Sequence, residues 1–179
     1  MQYAIELYFD EKTESKLRTM AQHVSENGIS DGWVKWKTRP HITLACFNDV
    51  DEELCADKLK TFAKECGRIP AYIGSVGMFT DTGVVFASPI MTSGMYAFQR
   101  KLHEYMSDFD TKGWEWYLPD RWVPHCGLAM TEGEPREKFF EAADLILHEF
   151  EKIAGEYVSI GLVKITCPVQ ELITYRLGE

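Results

Sequence analysis

The chain has 179 residues, of which 45% are apolar and 26% are charged, and these values exclude a disordered or fibrous protein. Its net charge of −9 at pH 7 disfavours long, non-specific nucleic acid, whose binding depends on many phosphate-neutralising lysines and arginines. A short ligand with a terminal phosphate needs only a locally positive pocket. The chain shows neither a signal peptide nor an apolar run long enough to cross a membrane. We therefore expect a cytoplasmic protein with no membrane partner.

The cysteines are five in number, and their spacing predicts reduced thiols. An odd set with wide gaps matches neither a disulfide framework nor the paired spacing of a zinc site. They are Cys46, Cys55, Cys66, Cys126 and Cys167.

The first half of the chain predicts strands and helices in turn. Residues 2–9 are rich in β-branched and aromatic side chains and predict a strand, after which Asp10 supplies the cap of a helix. Residues 33–37 and 41–47 predict two further strands. Apolar side chains spaced by three and four mark the helices. These are Leu17, Met20, Ala21 and Val24 in the first, and Cys55, Leu59, Phe62, Ala63 and Cys66 in the second.

The second half predicts a hairpin of residues 69–79 and 84–88, turning at Gly83, and later strands at 122–130, 157–166 and 171–177. Two more helical stripes separate them: Met95, Phe98, Leu102, Tyr105 and Met106, then Phe139, Ala143, Ile146, Leu147 and Phe150. Four helices and about eight strands result. Because they do not alternate strictly, we predict an α+β fold with mainly antiparallel sheets.

A repeated hexapeptide is the most informative feature of the sequence. Pro40-His41-Ile42-Thr43-Leu44-Ala45 returns 84 residues later as Pro124-His125-Cys126-Gly127-Leu128-Ala129. The offset is nearly half the chain, which predicts a single bilobal domain over residues 1–179, with two lobes related by an approximate two-fold axis. Two imidazoles facing one cleft can take up and release protons near pH 7, because the reference pKa of histidine lies there.

Strand geometry assigns a face to each position of the repeat. Successive side chains alternate between faces, so His41 and Thr43 point to the cleft while Ile42 and Leu44 point to the core. In the second copy His125 shares the cleft face with Gly127, which has no side chain.

The paired motifs resemble those of the two-histidine (2H) phosphoesterase superfamily, in its 2′-5′ RNA ligase-like or RNA 2′,3′-cyclic phosphodiesterase branch. Three other segments are similar to that branch: Val76-Gly77-Met78-Phe79, Gly83-Val84-Val85-Phe86 and Ser159-Ile160-Gly161-Leu162-Val163. The resemblance implies a bilobal α+β fold with a central cleft. It also implies that His41 and His125 are catalytic and that Thr43 binds phosphate, whereas Gly127 stands where the family has threonine or serine.

The activity implied by the resemblance is hydrolysis of 2′,3′-cyclic phosphate ends of RNA, or of small cyclic nucleotides, to 2′-phosphates, with 2′-5′ ligation as the reverse of diester cleavage. It would require no metal and no cofactor, and we expect a monomer. The sequence leaves open which histidine is the base.

Four flanking side chains are further candidates for substrate binding. Arg39 and Arg121 either bind phosphate or pair with acidic neighbours. Trp36 and Trp122 either stack on a base or fill the core.

Two alternatives remain at this point. Gly127 favours a binding module for a phosphorylated nucleotide or RNA end that has lost turnover. A metal-dependent hydrolase with histidine ligands is less favoured, because no carboxylate stands at a fixed spacing from either histidine.

Overall fold

The computed structural model describes all residues from Met1 to Glu179 and contains seven strands, five α-helices and two short 3-10 helices. The strands are β1 (Tyr3–Phe9), β2 (His41–Phe47), β3 (Ile69–Phe79), β4 (Val84–Pro89), β5 (Cys126–Met130), β6 (Ile153–Lys164) and β7 (Gln170–Arg176). The helices are α1 (Glu11–Glu26), α2 (Gly32–Trp36), α3 (Glu52–Glu65), α4 (Ser93–Tyr105) and α5 (Arg136–Glu149), and the 3-10 helices are Ser107–Lys112 and Glu115–Tyr117.

All strands belong to one antiparallel sheet with the order β2-β1-β6-β3-β4-β5, and β7 pairs with β6. Strand β6 joins the two halves, since residues 153–157 pair with β3 while residues 159–164 pair with β7. The predicted α+β class with antiparallel pairing is therefore confirmed. The division into two lobes of one domain stays a prediction.

The helices bury the predicted apolar stripes against the sheet. Asp10 caps α1 by accepting from the Thr13 amide at 3.0 Å, as its position before the helix predicts. One cluster of 42 buried residues forms the main core. In β1, Ile5 and Leu7 belong to this core, so Glu6 and Tyr8 point to the opposite face of the sheet.

Two predicted strands are wrong in part. Residues 33–36 lie in the short helix α2, in which Trp33 and Trp36 have the helical spacing of three, and Lys37 follows its end with a φ of 50°. The predicted strand 122–130 begins only at Cys126, since Pro124 has no amide hydrogen for a ladder. The β3–β4 hairpin is confirmed, with Gly83 at a φ of 64°.

The two end strands of the sheet order, β2 and β5, pack against each other. The Trp122 indole Nε1 donates to the main-chain oxygen of Thr43 at 2.9 Å and ties the two segments together. The sheet is thus curved so that its ends meet, which brings the two hexapeptides side by side. No helix combines the length and apolar character needed to cross a membrane.

Candidate active site

His41 and His125 line the same cavity, which has a volume of about 270 Å³. Thr43, Gly127 and Trp36 line it as well. The structure therefore gathers both halves of the repeat around one space.

Each histidine is held by the same local turn. The His41 Nδ1 lies 2.5 Å from the main-chain oxygen of Arg39, and the His125 Nδ1 lies 2.7 Å from that of Val123. A carbonyl oxygen only accepts, so each Nδ1 is assigned the hydrogen and each Nε2 is left to exchange a proton. A proline, Pro40 or Pro124, separates each of these carbonyls from its histidine. Proline fixes its own φ and restricts the backbone of the residue before it, so the carbonyl that each Nδ1 contacts is held in place.

Aromatic rings surround His125. Its ring centroid lies 4.8 Å from that of Phe79, 5.5 Å from that of Phe86 and 6.4 Å from that of Tyr117. Gly77 makes this packing possible, because a Cβ there would approach the Phe86 ring to 2.4 Å. Burial lowers the pKa of His125, and a charge on His41 lowers it further. The hydrogen bond to the Val123 carbonyl acts in the opposite direction and raises it, but burial has the larger effect. His125 is therefore suited to be neutral near pH 7.

His41 faces a carboxyl group instead. Its Nε2 lies 3.4 Å from the Glu6 Oε1, and the Glu6 side chain is only 6% exposed. The Tyr8 hydroxyl donates to the other carboxyl oxygen at 2.9 Å. Burial raises the pKa of Glu6, while His41 and Tyr8 act to lower it. A carboxylate at this position can accept a hydrogen bond from a protonated Nε2 of His41.

The sequence interpretation missed Glu6, although a signal was present. Residues 3–9 alternate faces, and Glu6 is the one acidic side chain in a strand that is buried along its whole length. A buried carboxyl group with a partner is a candidate functional group, because its burial costs free energy.

Hydroxyl groups of Thr43 and Tyr117 also meet in the cavity. The Tyr117 side chain lines the cavity together with those of Thr43 and Cys46. Burial raises the pKa of Tyr117, which keeps its hydroxyl protonated and able to donate. Sequence patterns gave no indication of Tyr117, which ends the 3-10 helix Glu115–Tyr117 before the second motif.

Gly127 leaves open space on the other side of the cavity. A Cβ built on it would meet only the Val84 Cγ1, at 3.9 Å, which is an ordinary contact. The glycine is therefore not required by packing at the Cβ position.

Three of the predicted substrate-binding side chains lie outside this cavity. Trp122 is buried, and its indole bonds to the backbone of β2. The Arg39 guanidinium stacks on the Tyr8 ring at 4.2 Å, and its Nε donates to Glu14 at 2.7 Å.

Arg121 also points elsewhere, because it pairs with Glu115 and lies 5.9 Å from the Trp116 ring centroid. No group of three or more histidine, cysteine, aspartate or glutamate side chains gathers as a metal site. All five cysteines are free thiols, as the sequence predicts, and four of them are buried.

The fold is similar to that of solved phosphoesterase structures. LigT of E. coli bound to 3′-AMP matches with a TM-score of 0.60 and 13% identity, and TT0787 of Thermus thermophilus with 0.62 and 17%. Each match covers 99% of this chain and 98% of the other. A search of curated proteins found no significant match. These likenesses define the class of fold, a LigT-like α+β fold.

Residues 20–154 match the family model of the 2′-5′ RNA ligase superfamily. The chain belongs to this family, whose members are 2H phosphoesterases. The resemblance inferred from the repeated histidine motif is therefore confirmed.

Proposed function

We propose that the protein is a metal-independent cyclic phosphodiesterase that hydrolyses 2′,3′-cyclic phosphate ends of RNA, or small cyclic nucleotides, to 2′-phosphates. The observation that carries this proposal is the pair of imidazoles in one cavity, each with Nδ1 bonded to a carbonyl, which leaves proton transfer to Nε2. Two such groups supply the base and the acid of a phosphodiester hydrolysis.

The surroundings of the two histidines support one distribution of the two roles. His125, kept neutral by its aromatic neighbours, takes a proton from the attacking water. The P–O3′ bond breaks, and His41, protonated beside the Glu6 carboxylate, gives its proton to the departing ribose oxygen. Thr43 and Tyr117 donate to the non-bridging phosphate oxygens, where charge develops. A 5′-hydroxyl in place of water would give a 2′-5′ linkage by the same step.

The nucleotide class of substrate is supported by the fold relatives. LigT structures contain 3′-AMP, NADP⁺ or ATP. A monomer in the cytoplasm remains our expectation for this chain.

The proposal is tested with a panel of 2′,3′-cyclic nucleotides and cyclic-ended oligonucleotides in the presence of a chelator. We expect turnover that the chelator leaves unchanged, with the 2′-phosphate as product. A 3′-phosphate product would contradict the direction of bond breaking, and activity that disappears with the chelator would indicate a metal enzyme.

Gly127 favours a second candidate, a binding module without turnover. The position lacks the hydroxyl that the family has there, and losing one such donor costs roughly 10²–10³ in rate. Tight binding of a nucleotide 2′-phosphate without any hydrolysis of the panel would select this candidate. Hydrolysis by the wild type that is lost in His41→Ala would reject it.

A further inference from the structure

A second and larger cavity, of about 800 Å³, lies beside the candidate active site. Four arginines line it, although the chain as a whole carries a net charge of −9. They are Arg18, Arg39, Arg68 and Arg176, and hydroxyl groups of Ser15, Ser159 and Thr174 accompany them.

Strand register connects this cavity to the histidine site. His41 on β2 pairs with Tyr8 on β1, Tyr8 pairs with Ser159 on β6, and Ser159 pairs with Arg176 on β7. Directly paired residues point to the same face of a sheet, so these four side chains form one row. Neighbouring strands lie about 4.8 Å apart, so the backbones of Ser159 and Arg176 lie about 10 and 14 Å from that of His41.

A parallel row of paired residues lies next to the first. It runs from Thr43 through Glu6 and Gly161 to Thr174. Gly161 has no side chain in the middle of this row, and a Cβ there would lie 2.8 Å from the Tyr8 ring and 2.9 Å from the Thr174 hydroxyl oxygen. The Tyr8 and Thr174 side chains therefore close over Gly161 and occupy the space above it.

The arginines retain capacity to bind an anion. Arg18 and Arg39 share one carboxylate, Glu14. The carboxylates of Asp10 and Glu11 also line the cavity, so four arginines face three carboxylates. The carboxylate of Asp10 is already used, because it accepts from the Thr13 amide and hydroxyl and from the amide of Glu156.

Arg68 and Arg176 have only loose partners. Their nearest carboxylate oxygens, on Glu156 and Glu179, lie at 3.8 and 3.6 Å, which is beyond hydrogen-bond distance. Their guanidinium donors are thus available for bidentate contact with phosphate.

We propose that this arginine cavity binds backbone phosphates of the RNA strand that carries the cyclic end. The inference rests on the proposed function and narrows its substrate to an oligonucleotide. A separation of 10–14 Å corresponds to about three or four stacked nucleotides at ~3.4 Å each. A single cyclic nucleotide does not span this distance, so only a longer substrate engages both cavities.

The test compares kcat/KM for cyclic-ended substrates of one to five nucleotides. In the wild type we expect kcat/KM to rise by about tenfold between one and four nucleotides, because the arginines add phosphate contacts. In the double variant Arg68→Ala/Arg176→Ala, the ratio of tetranucleotide to mononucleotide kcat/KM falls to about 1. Arg136→Ala, an exposed arginine on α5, is the matched control and keeps the wild-type ratio.

Direct binding supplies a readout that does not need turnover. A labelled tetranucleotide with a 3′-hydroxyl end is titrated by fluorescence anisotropy at two salt concentrations. We expect weaker binding and a smaller salt dependence in Arg68→Ala/Arg176→Ala, with partial recovery in Arg68→Lys/Arg176→Lys, which keeps the charge but not the bidentate geometry.

The outcomes separate the two proposals. Hydrolysis that is independent of length, with equal tetranucleotide binding by wild type and double variant, overturns the arginine site and leaves the proposed function standing. Arginine-dependent binding without hydrolysis of any substrate overturns the proposed function and supports the site. If circular dichroism shows that Arg68→Ala/Arg176→Ala is misfolded, Arg68→Lys/Arg176→Lys takes its place. Tetranucleotide binding and kcat/KM ratios equal to those of the wild type at all salt concentrations would then also count against the arginine site.

Discussion

His41 and His125 share a local turn but differ in their surroundings. Both donate Nδ1 to a carbonyl two residues earlier, yet His125 packs among Phe79 and Phe86 while His41 faces the Glu6 carboxyl group. Burial lowers the pKa of His125, while His41 has a carboxyl group beside its Nε2, and this difference in surroundings suits a base and an acid in one site.

Gly127 offers the first test at the scale of a single residue. We expect Gly127→Thr to raise kcat on a simple 2′,3′-cyclic nucleotide by about 10–10²-fold, since a hydroxyl is restored beside the phosphate and the backbone leaves space for it. Steady-state kinetics with Gly127→Val, which adds similar bulk without the hydroxyl, is the control. A clear fall in kcat for the threonine variant would mean that the glycine makes room for a bulkier substrate.

Glu6 connects activity with stability. Burial raises its pKa in the folded protein above the ordinary value of 4.5. Above pH 4.5 the folded state therefore holds more protons than the unfolded state, so the free energy of unfolding falls as pH rises towards the folded pKa. Glutamine does not titrate, and we expect the Tm of Glu6→Gln to exceed that of the wild type increasingly as pH rises from 4.5.

The same substitution should slow catalysis. His41 loses the carboxylate that orients its Nε2, and such misplacement costs up to ~10²-fold in kcat. Glu53→Gln, on the exposed surface of α3, is the matched control for turnover. Unchanged kcat in Glu6→Gln would show that Glu6 has no part in positioning His41.

Only those residues of the candidate site that belong to a recognisable sequence pattern were predictable from the sequence. The repeated hexapeptide pointed to His41, His125 and Thr43. Two similar motifs separated by nearly half the chain indicate equivalent segments that face one cleft. Glu6 reaches the cavity through strand pairing, and its place as the one acidic side chain in a buried strand was the signal that the sequence offered. Tyr117 reaches the cavity from a short 3-10 helix through tertiary contacts, which leave no periodic signal in the sequence.

At the scale of elements, the junction of β2 and β5 holds the two motifs together. The Trp122 indole bonds to the Thr43 main-chain oxygen inside the core. We expect Trp122→Phe to lower the free energy of unfolding by about 1–3 kcal/mol, because the oxygen is left without its donor. Urea denaturation measures this change.

Trp116 supplies the control for that substitution, since its side chain is 71% exposed. We expect Trp116→Phe to change the free energy of unfolding by less than about 0.5 kcal/mol. Equal effects of the two substitutions would show that the junction adds nothing to stability.

Elements were predictable where periodicity was long and turn residues were clear. The apolar stripes of α1 and α3 and the turn at Gly83 gave correct elements. The segment at 33–37 was too short for its aromatic residues to distinguish a helix from a strand.

The whole molecule brings its two sheet ends together and so turns a sequence repeat into a shared cavity. The offset of 84 residues predicted this meeting of equivalent segments. It could not predict the arginine cavity, whose members come from α1, β7 and loops at scattered positions.

The pH dependence of kcat/KM for hydrolysis of a 2′,3′-cyclic nucleotide tests the two-histidine mechanism most directly. We predict a bell-shaped profile whose acidic limb lies below pH 6.5, because burial lowers the pKa of His125 and the base must be neutral. Alanine at His125 should remove the acidic limb and alanine at His41 the basic limb, each with a loss of about 10²–10⁴-fold. A wild-type profile without two limbs, or full activity in either alanine variant, would contradict the mechanism.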